Sequence, residues 1–124
     1  MRIRIGHSSA FDFQSQLYTE LRAIALPRGV TLSLPHEGGS EGDCTRSFFE
    51  EGCSLFIVEA SYPSTGLGME VAYAAMLGVP IVCVHRQDFR PSSSLLRVTS
   101  RFLAYADEAE LRQHVTALLS ELTR

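Results

Sequence analysis

The stretch "SLFIVEASYPSTGLGMEVAYAAMLGVPIVCVH", residues 54–85, decides the fold. It opens on a nearly unbroken apolar run, 54–59, and closes on another, 80–85. Short apolar runs of this kind are expected of strands covered on both faces. Between them, a turn carrying Pro63 leads into a helix predicted over 66–77 and ended by Gly78. Two buried strands joined by one helix make a strand–helix–strand unit with the strands parallel.

Working outward, the same alternation continues in both directions. "RIRIG" (2–6) reads as a first strand. Residues 12–26 set Phe13, Leu17, Leu21 and Ile24 on one helical stripe, with Asp12 placed to cap it and Pro27 and Gly29 to end it. "VTLSLP" (30–35) is a second strand, "HEGGSEGD" (36–43) a glycine-rich polar loop, and 44–52 a short helix closed by Gly52. After residue 85 come a loop, "RQDFRPSSS", a short helical segment at 95–98, and a fifth strand, "RFLAYA" (101–106). A last helix over 108–122 has Asp107 as its cap and Leu111, Val115, Leu118, Leu119 and Leu122 on one face. The expectation is one α/β domain over residues 1–124: a five-stranded parallel sheet in flavodoxin-like order 2-1-3-4-5, with helices on both faces.

Composition narrows the class. Hydrophobic residues make up 45% and charged residues 20% of the 124, with a net charge of -3, the balance of a soluble globular domain. No basic run points to nucleic acid, and no apolar run is long enough to span a bilayer. The N-terminal "MRIRIGHSS" lacks the apolar stretch of a signal peptide. Cys44, Cys53 and Cys83 are odd in number and without CxxC spacing, as expected of reduced thiols in a cytoplasmic protein. No two histidines or cysteines have the spacing of a metal site, so neither metal nor cofactor is expected.

In a sheet of this order, ligands bind at the C-terminal strand ends where the order reverses, between strands 1 and 3. The residues there are Gly6, His7, Ser8 and Ser9 after strand 1, and Glu59, Ala60 and Ser61 onward to Glu70 after strand 3. Gly66 and Gly68 fall in the first turn of a helix, where each costs about 1 kcal/mol against alanine. Close approach of a ligand to the backbone would account for them. The free N–H groups of a helix start suit a phosphate, and Ser64 and Thr65 add hydroxyls. Glu70 follows one turn later, in a field that favours its ionised form, and could attack a sugar carbon. The simpler reading makes Ser64 and Thr65 plain caps and Glu70 a surface residue. Glu59, at the tip of a buried strand, is expected to face the cleft.

These residues resemble a family. "PSTGLGMEVAYAAMLGVPIVCVHR" is similar to the signature of the nucleoside 2-deoxyribosyltransferase superfamily, and within it to the 2'-deoxynucleoside 5'-phosphate N-hydrolases and their small bacterial relatives. The resemblance implies that Glu70 is the nucleophile. It implies that Ser64, Gly66 and Gly68 approach a 5'-phosphate, where the transferases acting on unphosphorylated nucleosides carry an aspartate in place of the serine. Gly6, Ser8 and Ser9 match the first phosphate and sugar loop. Ser93 matches a serine that reaches the phosphate of a neighbouring subunit, which implies a homodimer or higher oligomer. There are departures: Ile3 stands for a tyrosine on strand 1, and Arg46 for an aspartate ahead of strand 3, with Asp43 one turn earlier.

The expected activity is therefore hydrolysis of the N-glycosidic bond of (deoxy)nucleoside 5'-monophosphates. Asp43 or Glu59 would protonate the leaving base. Phe11 and Phe13 could stack on that base, and His7, His36 and Glu37 could contact it. A deoxyribosyltransferase and a non-catalytic nucleotide-binding module are the alternatives. A receiver or flavodoxin reading is disfavoured, because strand 1 is not followed by paired acids and the phosphate loop follows strand 3.

Overall fold

The computed structural model describes residues 1–36 and 45–124. Glu37, Asp43 and Cys44, and with them most of the expected 36–43 loop, lie outside the described residues. Five parallel strands form one sheet: β1 (Arg2–Gly6), β2 (Thr31–Ser33), β3 (Leu55–Glu59), β4 (Ile81–Arg86) and β5 (Phe102–Tyr105). Their order is β2-β1-β3-β4-β5, as expected from the alternation of strands and helices. The register sets Arg4 of β1 beside Ser33 of β2 and Phe56 of β3. The helices are α1 (Thr19–Arg22), α2 (Thr45–Glu50), α3 (Thr65–Met76) and α4 (Glu108–Leu122). A π-helical segment (Gln14–Tyr18) runs into α1, and a 3₁₀ turn (Ser93–Arg97) precedes β5.

The expected boundaries hold with adjustments that have local causes. The helix expected over 12–26 begins directly after Asp12 but ends at Arg22, short of Pro27 and Gly29. Asp12 caps it as expected: its Oδ1 accepts from the backbone N–H of Ser15 at 3.3 Å and its carbonyl from the N–H of Gln16 at 3.0 Å. Asp107 caps α4 as expected, accepting from the N–H of Glu110 at 2.9 Å. Gly52 and Gly78, which end helices, and Gly29, in the turn before β2, sit at φ of 112°, 73° and 82°, where any side chain is strained.

Side chains of β3 alternate between two cores. Leu55 and Ile57 join Ile3, Ile5 and the apolar stripe of α4 on one face. Phe56, Val58 and Ala60 pack with Leu67, Val71 and Ala74 of α3 on the other. Helices therefore cover both faces, and each supplies the apolar stripe its sequence shows. Among the described residues no helix is long and apolar enough to cross a membrane, and no cluster of three or more His, Cys, Asp or Glu could hold a metal ion.

Candidate active site

Glu70 lies in the second turn of α3, and its Oε1 accepts from the Nε of Arg4 at 3.0 Å. Arg4 belongs to β1, a strand with sheet on both sides and helices above and below, so its guanidinium is 2% exposed. Three elements hold it. Glu70 of α3 supplies the counter-charge, Ser33 of β2 accepts at 3.0 Å, and the ring of Phe48 in α2 lies 4.9 Å from the guanidinium carbon. Glu70 itself is 13% exposed. Burial pushes its carboxyl above the ordinary carboxylate range, while the charges of Arg4 and His36 pull it back. The sequence suggested that the helix start would favour the ionised form. The structure corrects this: desolvation is the larger effect, and a buried cation opposes it.

The start of α3 is built as the sequence suggested. Ser64 is extended, and its Oγ accepts from the N–H of Leu67 at 3.3 Å. A Cβ placed on Gly66 or Gly68 would meet nothing within 4 Å. Nothing in the fold requires glycine at either position, and both face solvent. Beside them is a cleft of about 240 Å³, walled by Leu67, Val71 and Leu95, with Ser64 and Gly68 on one side and Ser92 and Ser94 on the other. The serine loop thus reaches the α3 start within the same chain through Ser92 and Ser94, which the sequence did not suggest. Ser93, between them, is exposed.

Several expected contacts prove to be internal. Gly6 is required by packing: a Cβ there would come within 2.5 Å of the Phe56 ring. Ser8 is buried and its Oγ accepts from the N–H of Ala10 at 3.0 Å, leaving Ser9 as the exposed serine of that loop. His7 is buried with both ring nitrogens engaged. Nδ1 donates to the carbonyl of Ser8 at 2.9 Å, so the bare Nε2 accepts from the hydroxyl of Tyr18 at 2.6 Å. Burial lowers the pKa of His7, in agreement with a neutral ring. His7 is therefore a support for the site and not a contact for a base.

Glu59 requires the largest correction. It is 1% exposed and points away from α3, into the core that holds Tyr105. Its carboxylate accepts from the backbone N–H of Ser61 at 2.6 Å, the Ser61 hydroxyl at 3.1 Å and the Tyr105 hydroxyl. The Ser61 hydroxyl in turn accepts from the N–H of Arg86 at 2.8 Å. Three donors on a buried carboxylate make a structural clamp between β3, β4 and β5, not a general acid facing a cleft. Ser61 is withdrawn from the substrate set for the same reason.

An aromatic wall is formed by residues that follow the C-terminal ends of β1, β3 and β4. Phe11 stacks on Tyr62 at 4.6 Å with an interplanar angle of 16°, and Tyr62 leans on Phe89 at 5.0 Å. Phe13 lies between His7 (4.6 Å) and His36 (5.0 Å). His36 is exposed, and its backbone N–H donates to the Tyr18 hydroxyl at 3.1 Å. Of the expected residues, His36 lies near enough to Glu70 for its charge to act on the carboxyl. Ser64, Gly66 and Gly68 share the start of the same helix, and Phe11 and Phe13 belong to the aromatic wall. Arg4, Tyr62 and Ser33 were not expected. A signal for Arg4 existed: an arginine at the centre of a strand with neighbours on both sides must be buried, and a buried arginine needs a carboxylate.

No protein-family model matches the chain. Curated relatives do. A protein of Methanococcoides burtonii named "Putative 2'-deoxynucleoside 5'-phosphate N-hydrolase 1" is 41% identical over 59 residues, covering 48% of this chain and 44% of that protein. Proteins of the same name from Methanosarcina barkeri and Thermofilum pendens are 32% identical over 69 residues and 30% over 74, covering 53% and 56% of this chain and 43% and 52% of those proteins. The chain thus spans about half the length of the curated relatives it matches. Among solved structures, the Clostridium botulinum CMP N-glycosidase BcmB superposes with a TM-score of 0.61 at 21% identity, over 93% of this chain and 98% of that one, which establishes a shared fold. The resemblance to the 2'-deoxynucleoside 5'-phosphate N-hydrolases is borne out by these relatives.

Proposed function

We propose, from the likeness of this chain to the nucleoside 2-deoxyribosyltransferase superfamily, that it hydrolyses the N-glycosidic bond of (deoxy)nucleoside 5'-monophosphates with Glu70 as nucleophile. The observation that carries the reading is a carboxylate held against a buried arginine, one turn behind a helix start opened by two glycines that the fold does not require. Phosphate would sit on the free N–H groups of that start, near Ser64, Gly66 and Gly68. With the phosphate there, C1' would lie toward Glu70, one turn along the same helix. The carboxylate attacks C1', the C1'–N bond breaks, and the base leaves with the electron pair, taking a proton from an acid. Water then displaces Glu70 from C1', giving (deoxy)ribose 5-phosphate and the original stereochemistry. With Glu59 committed to its clamp, Asp43 is the acid we propose. The base is taken to lie along the wall of Phe11 and Phe13, with His36 and Glu37 at its edge. No metal or cofactor is called for.

We further propose a cytoplasmic homodimer. Met69, Tyr73, Met76 and Leu77 run along the exposed face of α3, with Met76 83% exposed. A helix apolar on its outer side as well as its inner one suits a subunit contact. The function is tested by incubating the protein with paired nucleosides, deoxynucleosides and their 5'-monophosphates, following free base by chromatography. Release from monophosphates alone supports the reading. Transfer to an added second base would make the protein a transferase, and no release from any substrate would leave a nucleotide-binding module.

A further inference from the structure

We infer that Arg4 is the positioning residue of the site: it grips Glu70 by Oε1, keeps the carboxylate ionised, and leaves Oε2 as the attacking atom. The inference rests on the proposed role of Glu70.

A carboxylate removed from water would otherwise take up a proton, and a protonated carboxyl is no nucleophile. The charges acting on Glu70 from the described residues are Arg4 in β1 and His36 in the turn after β2. The described face of α2 offers the Phe48 ring, while its charged pair, Arg46 and Glu50 at 2.7 Å, is turned to solvent. His36 is exposed and its charge is screened by water. Arg4 is buried and in direct contact, so its effect is the larger. Its direction is also fixed, because Ser33 and Phe48 hold the guanidinium from the other sides.

The grip has consequences in both chemical steps. When Oε2 bonds to C1' and the base departs, the negative charge on Glu70 is lost. Oε1 becomes the ester carbonyl oxygen and still accepts from Arg4. When water attacks C1' and the ester bond breaks, the electron pair returns to the carboxylate beside a waiting cation. Arg4 therefore weakens Glu70 as a nucleophile and improves it as a leaving group. The first effect is offset, because without Arg4 burial favours the protonated carboxyl unopposed by a contacting cation.

The test is a titration of the Glu70 carboxyl by carbon NMR in wild-type protein, Arg4→Gln and Arg4→Lys, without substrate. We expect the midpoint to rise by about one to three pH units in Arg4→Gln and to return most of the way in Arg4→Lys. The acid limb of kcat/KM should move by the same amount, and at pH above the shifted limb, where Glu70 is ionised, Arg4→Gln should show a burst of base release followed by slow turnover. A variant that only loosened the fold would lower activity at every pH and leave the limb in place. If Arg4→Gln does not fold, the Arg4 Nε–H resonance of the wild type decides: it should move with the midpoint of Glu70. An unmoved midpoint in Arg4→Gln, or an Arg4 signal blind to Glu70, overturns the inference. Wild-type release of base with an unmoved limb sinks the positioning role alone. Wild-type protein that releases no base sinks the nucleophile reading, while the titration still reports on the ion pair.

Discussion

Arg4 and Glu70, 66 positions apart in sequence, meet at 3.0 Å across the boundary between β1 and α3. The two side chains are 2% and 13% exposed, so each is the principal answer to the other's burial. Replacing Glu70 by glutamine keeps the shape and one acceptor for Arg4 but removes the charge. We expect base release to fall on the order of 10³-fold or more, with the far-ultraviolet spectrum unchanged. Near-normal turnover in Glu70→Gln would remove the mechanism.

Gly68→Ala should separate stability from function with opposite signs. The position is helical, and an added Cβ meets nothing within 4 Å. Alanine should therefore raise stability by about 0.5–1 kcal/mol. If a phosphate sits against this backbone, the same methyl group should raise KM for monophosphates. A Gly68→Ala protein that is more stable and binds substrate equally well would show that the glycine serves no ligand.

The clamp on Glu59 makes the reverse prediction. Tyr105→Phe removes one donor from a buried carboxylate and should cost roughly 1.5–3 kcal/mol by urea denaturation. Burial and the neighbouring Glu59 hold the Tyr105 hydroxyl well above the ordinary tyrosine range, so it remains a donor throughout the working pH. Glu59→Gln should likewise be less stable yet keep most of its turnover at temperatures where it is folded. Loss of turnover in a folded Glu59→Gln protein would restore Glu59 as a catalytic candidate.

His7 should set a pH dependence of stability. Burial lowers its pKa from the ordinary 6.5, so the folded protein keeps the ring neutral where the unfolded chain takes up a proton. The stability this contributes is complete above pH 6.5 and is lost as pH falls toward the folded-state pKa. Melting temperature should thus decline below pH 6.5 in the wild type and less steeply in His7→Gln. Parallel curves for the two proteins would assign the acid sensitivity elsewhere.

Shared sites can be tested by mixing. If Ser93 reaches a neighbouring subunit, a mixed dimer of Glu70→Gln and Ser93→Ala has one site with both defects and one with neither. With scarce substrate, activity after subunit exchange should exceed the sum of the parents. A fully active monomer in sedimentation would show that Ser93 acts within its own chain, beside Ser92 and Ser94, or not at all.

What the sequence disclosed follows from which interactions are local. Strand order and the caps at Asp12, Ser64 and Asp107 depend on periodicity and on side chains within a few positions, and all were legible. Misreadings arose where an interaction joins distant segments. "RIRIG" reads as a strand without showing which neighbours flank it, and its place inside the sheet buries Arg4. Glu59 looked like a cleft residue because it ends a strand. Period-two alternation turns it instead toward the face of Leu55 and Ile57, where Tyr105 waits. Gly6, read as a ligand glycine, owes its identity to Phe56 on the neighbouring strand.

The alternation along β3 also partitions the molecule. Glu59 and Glu70, eleven positions apart, lie on opposite sides of one sheet, each within its own core. Substitutions on the two sides share no partner, so their free energies should add, and a double-mutant cycle between Tyr105 and Arg4 should close with no coupling beyond about 0.5 kcal/mol. The α4 side then serves as an independent control for stability. It can be strengthened to absorb the destabilisation that accompanies a redesigned substrate preference, without altering the Arg4–Glu70 pair.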